Sequence, residues 1–163
     1  MRLRTLSAIP LLFVAAAASA DDCDHTAPHR LSADLKGATS VAVIARAGSL
    51  RVTGTSAGAV TASGTACASD REYLRRIRIE ARREGSELVI EAIIPERTHI
   101  FGWHEARLDM EVNVPRAIAL RIKDGSGSTE IRDVERDVTI EDDGSGGVQY
   151  DRVGGRVRVP RER

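Results

Sequence analysis

The stretch Lys123–Val159, "KDGSGSTEIRDVERDVTIEDDGSGGVQYDRVGGRVRV", carries DGSG twice, at Asp124–Gly127 and at Asp143–Gly146, an offset of nineteen residues (143 minus 124). Aligned at that offset, Thr129 meets Val148, Ile131 meets Tyr150, Val134 meets Val153, Val138 meets Val157 and Ile140 meets Val159. Each copy holds two short alternating segments, separated by "RDVERD" at 132–137 or "DRVGGR" at 151–156. The second copy has one extra residue, Asp142. A fixed period with two short strands per copy predicts an all-β chain, a short β-solenoid or β-helix-like stack of coils. One coil cannot bury its own strands, whereas coils stacked about 4.8 Å apart share hydrogen bonds and a core. Glycines 125, 127, 144 and 146 are expected to supply positive φ at the corners, with Asp and Ser side chains satisfying nearby amides.

Upstream of the repeats the texture stays β. Val41, Val43 and Ala45 alternate, Gly48 breaks the run, and Leu50 and Val52 resume it; "AVTASGTA" around Val60 supplies a third strand. "SDREYLRRIRIEARREGSELVIEAIIP" looks helical by charge, yet only Asp70 to Leu74 suits a helical turn. Ile77, Ile79 and Ala81 alternate with charged neighbours, "EGSE" turns, and Leu88, Ile90 and Ala92 alternate again, which predicts a β-hairpin. Leu108, Met110, Val112 and Val114 mark a further strand that ends at Pro115. The fold is therefore expected as antiparallel strands and a hairpin, followed by repeats over 116–163.

The first twenty residues, with Arg2 and Arg4 ahead of an apolar run and Ala18-Ser19-Ala20 at its end, read as a signal peptide cleaved near Ala20/Asp21. That run is too short to span a bilayer, so no integral membrane span is expected. Residues 21–39 read as a polar lead-in and 40–163 as a single domain, placed in the periplasm or secreted. Losing Arg2 and Arg4 leaves 22 basic against 24 acidic residues, about −2 net. Without a basic stripe there is no electrostatic reason to bind nucleic acid. Cys23 and Cys67 lack a C-x-x-C spacing and are expected to form a structural disulfide, as exported chains with an even cysteine count usually do.

"LDMEVNVPRAIALRIKDGSGSTEIRDVERDVTIEDDGSGGVQYDRVGG" resembles the putative-adhesin, repeat-containing domain-of-unknown-function family of bacterial extracytoplasmic proteins, in the style of head-GIN adhesin-like domains. "VNVP" at Val112–Pro115 is similar to that family's V-x-V-P strand, and "GSLRVTG" at Gly48–Gly54 to its opening strand. The resemblance implies an exported β-solenoid of undetermined activity, and it supplies no catalytic residues to carry over.

Chemistry-bearing motifs are few. Glu141, Asp142 and Asp143 lack the spacing of an EF-hand or a calcium nonapeptide repeat, and no metal or cofactor is expected. His99 and His104 flank "IFGW", but a third zinc ligand is not evident. Phe101, Trp103 and His104 are the candidate binding residues, because rings on a loop stack on sugar faces or anchor a protein partner; the alternative is that Phe101 and Trp103 plug one end of the core. Asp133 and Asp151, beside arginines, are the candidates for polysaccharide-cleaving acids. Arg156, Arg158, Pro160, Arg161 and Arg163 suit protection of an open strand edge. The leading expectation is a non-enzymatic, adhesin-like protein that binds an envelope glycan or envelope protein. The alternatives are a carbohydrate-active β-helical enzyme and a structural envelope protein that self-associates through an open coil edge.

Overall fold

A computed structural model describes residues 23–95, 105–143 and 145–159. Twelve strands and one short helix follow in the order β1 (His25–Asp34), β2 (Ser40–Ile44), β3 (Leu50–Thr55), β4 (Ala59–Ala68), α1 (Arg71–Arg76), β5 (Arg78–Glu84), β6 (Glu87–Ile93), β7 (Ala106–Pro115), β8 (Ala119–Asp124), β9 (Thr129–Arg132), β10 (Val138–Asp143), β11 (Val148–Asp151) and β12 (Val157–Arg158). They build two six-stranded sheets, β1-β4-β7-β3-β9-β11 and β12-β10-β8-β2-β6-β5. Val, Ile, Leu and Ala from both sheets fill one core, with Val41, Val43, Val52, Ile90, Val114, Ile122 and Ile131 fully buried.

The all-β expectation holds, but the β-solenoid does not. Both sheets are mixed: β1-β4-β7 and β5-β6 pair antiparallel, while β7-β3-β9-β11 and β6-β2-β8-β10-β12 pair parallel. A solenoid lays each coil on the one before it in sequence. Here β2 sits between β6 and β8, and β3 between β7 and β9, so an early segment is inserted in the middle of both sheets. Alternation identifies strands but is silent on their neighbours, because parallel and antiparallel ladders bury the same period-two face.

The nineteen-residue offset appears as local ladder register. Thr129 pairs with Val148, Ile131 with Tyr150 and Val138 with Val157. The extra residue of the second copy is absorbed by a register shift between Ile140 and Asp142, a β-bulge. The corner chemistry is also visible: fully buried Asp124 accepts a 2.8 Å hydrogen bond from the Thr129 hydroxyl. The second copy has Val148 where Thr129 stands, so that bond cannot recur there.

The hairpin read from Ile77 onward is β5-β6, and the helical turn before it is α1, capped by Asp70 through the Glu72 and Tyr73 amides. The polar lead-in contains β1, which pairs with β4 along its whole length from His25↔Ala68 to Asp34↔Ala59. Cys23 and Cys67 are joined, with Cα atoms 5.6 Å apart, within the usual range for a bridge. Among the described residues, no helix is long and apolar enough to cross a membrane.

Candidate functional site

The first sheet carries a polar trough on its outer face, and the sequence of β4 creates it. "AVTASGTACA" alternates core residues Val60, Ala62 and Ala66 with outward Thr61, Ser63 and Thr65, all short. Its neighbours are longer. The ladder sets Arg30 of β1 and Glu111 of β7 on either side of Ser63, Pro28 and Asp109 beside Thr65, and Ser32 and Asn113 beside Thr61. A short strand between taller ones leaves a channel, whose floor hydroxyls recur about every 6.8 Å, two residues of extended chain. Two hollows of about 440 and 410 Å³ share Arg30 and Ser63 and so form one continuous trough. Cys67 continues the alternation of β4 opposite Thr26, and its bridge to Cys23 ties the start of β1 to that strand.

The β7 side of the trough is electrostatically fixed. Arg51, in register with Glu111 and Glu130 on the flanking strands, donates to Glu130 at 2.7 Å and to Glu111 at 3.0 Å. The hydrogen bond from Arg51 is the main cause that holds the Glu130 carboxyl below its ordinary range. Burial works against the charge of Asp109, but the Ser49 amide at 2.7 Å, the Ser49 hydroxyl at 2.9 Å and Arg107 outweigh it and keep the carboxyl low. These acids are anions at neutral pH, oriented by fixed donors. Arg30, on the opposite wall, forms no salt bridge with any described residue.

The residues singled out from sequence fall elsewhere. Phe101, Trp103 and His104, together with His99, lie outside the described residues, as do residues 1–22 and 160–163. Glu141 of the acidic cluster pairs with Arg121 at 3.1 Å. Among the described residues, no group of three His, Cys, Asp or Glu side chains could hold a metal. Asp133 and Asp151 do come together, on one guanidinium. Arg152 donates to Asp133 at 2.6 and 2.9 Å and also to Asp151. That fork holds the Asp133 carboxyl below its ordinary range, the opposite of what a general acid needs. The trough was missed because no motif marks it. Its one sequence signal is the run of small residues with hydroxyls at 61, 63 and 65.

The outer face of the second sheet is closed by ion pairs rather than hollowed. Glu91, 7% exposed, lies between Arg46 at 2.6 Å and Arg82. Burial opposes its charge, yet the hydrogen bonds from the two arginines override it and hold the carboxyl low. A carboxylate whose folded pKa is depressed contributes stability above its unfolded value and loses it as pH falls through the folded one. Melting temperature is therefore expected to stay level from pH 7 down to the ordinary Glu value of 4.5 and to fall below it. Glu91→Gln should cost about 1–2 kcal/mol at pH 7, since both arginines are half-exposed and can rehydrate, and should flatten the acid limb. Thermal scans from pH 7 to pH 3 on both proteins check this.

No family model matches the chain, and no curated protein matches it. Two solved structures are similar to part of the chain. One is a "putative cell adhesion protein" from Clostridium sporogenes, with TM-score 0.46 and 13% identity over 71% of this chain. The other is a "putative adhesin" from Parabacteroides distasonis, with TM-score 0.40 and 12% identity over 77%. The matches cover 58% and 56% of those two chains, so this chain spans under two thirds of either.

Proposed function

We propose that this is an exported, non-enzymatic binding protein of adhesin-like type, whose trough along β4 takes an extended, hydroxyl-rich strand such as a cell-envelope glycan. The observation that carries the reading is the trough itself, a channel with a floor of serine and threonine hydroxyls between Arg30 and the Asp109-Glu111 wall. A polyhydroxylated ligand both donates and accepts, and the floor and walls offer both functions in fixed positions. Groups held by the fold need not be ordered when ligand arrives, which lowers the entropic cost of binding. The Cys23–Cys67 bridge supports a location outside the reducing cytosol.

Ser63→Trp, which fills the floor from an outward position, is expected to abolish binding to soluble envelope glycan in calorimetry, and Arg30→Ala to weaken it about tenfold. Melting temperatures of both variants should stay within a few degrees of wild type, because neither residue is in the core. Undiminished binding by Ser63→Trp sinks the trough as the site. If Trp103→Ala instead removes binding, the contact belongs to the stretch of sequence that holds Phe101 and His104. Turnover on a polysaccharide panel would overturn the non-enzymatic part.

A further inference from the structure

Among the described residues, β11 and β12 are the outermost strands at one end, each paired on one side only. The last layer repeats the core pattern without being covered. Tyr150 lies in register with Ile131 and Val157 with Val138, both fully buried, yet Tyr150 is 55% exposed and Val157 half-buried. Val148 and Val153 are also half-buried, and Val159 is 43% exposed. Among the described residues, Tyr150 and Val159 are the exposed large hydrophobic side chains, and both sit at this end.

We propose that this end is a self-association surface, on which a second copy of the chain docks about a twofold axis that sets β11 of one protomer against β12 of its partner. The chain reverses at each corner, so β11 and β12 run in opposite senses, and two twofold arrangements can continue both sheets. An axis normal to the sheets pairs β11 with β11 and β12 with β12. An axis between the sheets, along the strands, pairs β11 antiparallel with β12.

Charge decides between them. Outward positions are Gln149 and Asp151 on β11 and Arg158 on β12, with Arg156 just before it. Like-with-like pairing opposes arginine to arginine, which is destabilising on one sheet face. The crossed pairing brings Asp151 towards the partner's Arg158, twice by symmetry. Arg152 is already shared between Asp133 and Asp151 and Arg156 is held by Asp137, so the partner's Arg158, which forms no salt bridge among the described residues, comes to Asp151 as a second cation. The same pairing seats Tyr150 and the valines against their symmetry mates and ends the exposure of four to five apolar side chains. Edges of four and two residues give a small contact, so the dimer is expected to be weak, in the upper micromolar range.

Sedimentation velocity over a wide concentration range tests this, on the oxidised protein. Wild type should shift from monomer to dimer as concentration rises. Tyr150→Arg, Asp151→Arg and Arg158→Asp should each weaken association about five- to tenfold, because symmetry counts every change twice, and the Asp151→Arg/Arg158→Asp double variant should restore it. Unchanged melting of the dilute variants separates lost docking from lost folding. Three results overturn the proposal: wild type that stays monomeric throughout, tighter association of Arg158→Ala alone, which marks like-with-like pairing, or loss of association on deleting residues 160–163.

Discussion

Gly127→Ala is expected to unfold the protein at a melting temperature on the order of 10 °C below wild type, a loss of about 3–4 kcal/mol. Two costs add at this position. Its φ is +132°, a region an L side chain rarely adopts. A Cβ built there also collides with the carbonyl oxygen of Gly48 on the neighbouring strand connection, and backbone on both sides cannot step aside as a flexible side chain could. The contact belongs to a column: a Cβ on Gly48 would strike the Leu108 carbonyl, and one on Gly146 would strike that of Gly127. The column climbs the first sheet in its strand order, β7, β3, β9, β11, and the Gly48 amide donates to the Ser126 carbonyl at 3.1 Å across it. Gly58→Ala is the control, because a Cβ there meets open space and no positive φ is needed; its change should stay within about 0.5 kcal/mol. Equal stability of the two variants in urea titrations would refute the close-approach account.

The glycine column also marks what the sequence could and could not disclose. From the DGSG copies, the glycines read as suppliers of positive φ. Gly127 has that φ, but Gly125 and Gly146 do not, and their lack of a Cβ serves contact with carbonyls of the adjacent layer, at Arg46 and Gly127. A repeat thus names the residues that matter while leaving the neighbour they touch unstated. The same holds for strand order. The repeat predicts that Ile131 meets Tyr150, since both lie inside it, and the ladder has that register. It says nothing of β2 and β3, which carry no DGSG and are inserted at the first copy's other flank. β1 was illegible for a different reason. Its inward residues are His25, Ala27, His29, Leu31 and Ala33, only one of them strongly apolar, and Pro28 argues against a strand unless that strand lies at an edge, as β1 does. The trough follows from this blind spot, because its walls are β1 and β7 and its floor a strand of residues too small to attract notice.

Replacing Cys23 and Cys67 together by serine is expected to cost about 4 kcal/mol, the largest single loss anticipated in this chain. The bridge closes a loop across a sequence separation of 44, and in the unfolded chain that closure removes conformational freedom which the serine variant regains. The native contribution is more local. Among the described residues β1 is an edge strand that pairs with β4 alone, and the bridge fixes one end of that ladder beside His25↔Ala68. Urea titration should therefore show a lower midpoint and a steeper slope for the variant, because its unfolded chain is more expanded and exposes more surface. Reductant added to wild type should reproduce both changes and leave the variant unmoved. Hydrogen exchange separates the two contributions: a loss confined to the unfolded state lowers protection evenly, whereas a loose β1 lowers it first along residues 25–34 and 59–68. In the second case the trough loses a wall before the protein unfolds, and ligand affinity at neutral pH should fall with reduction at temperatures where the core remains folded. A change of less than 1 kcal/mol on removing the bridge would show that the β1-β4 ladder holds the edge without it.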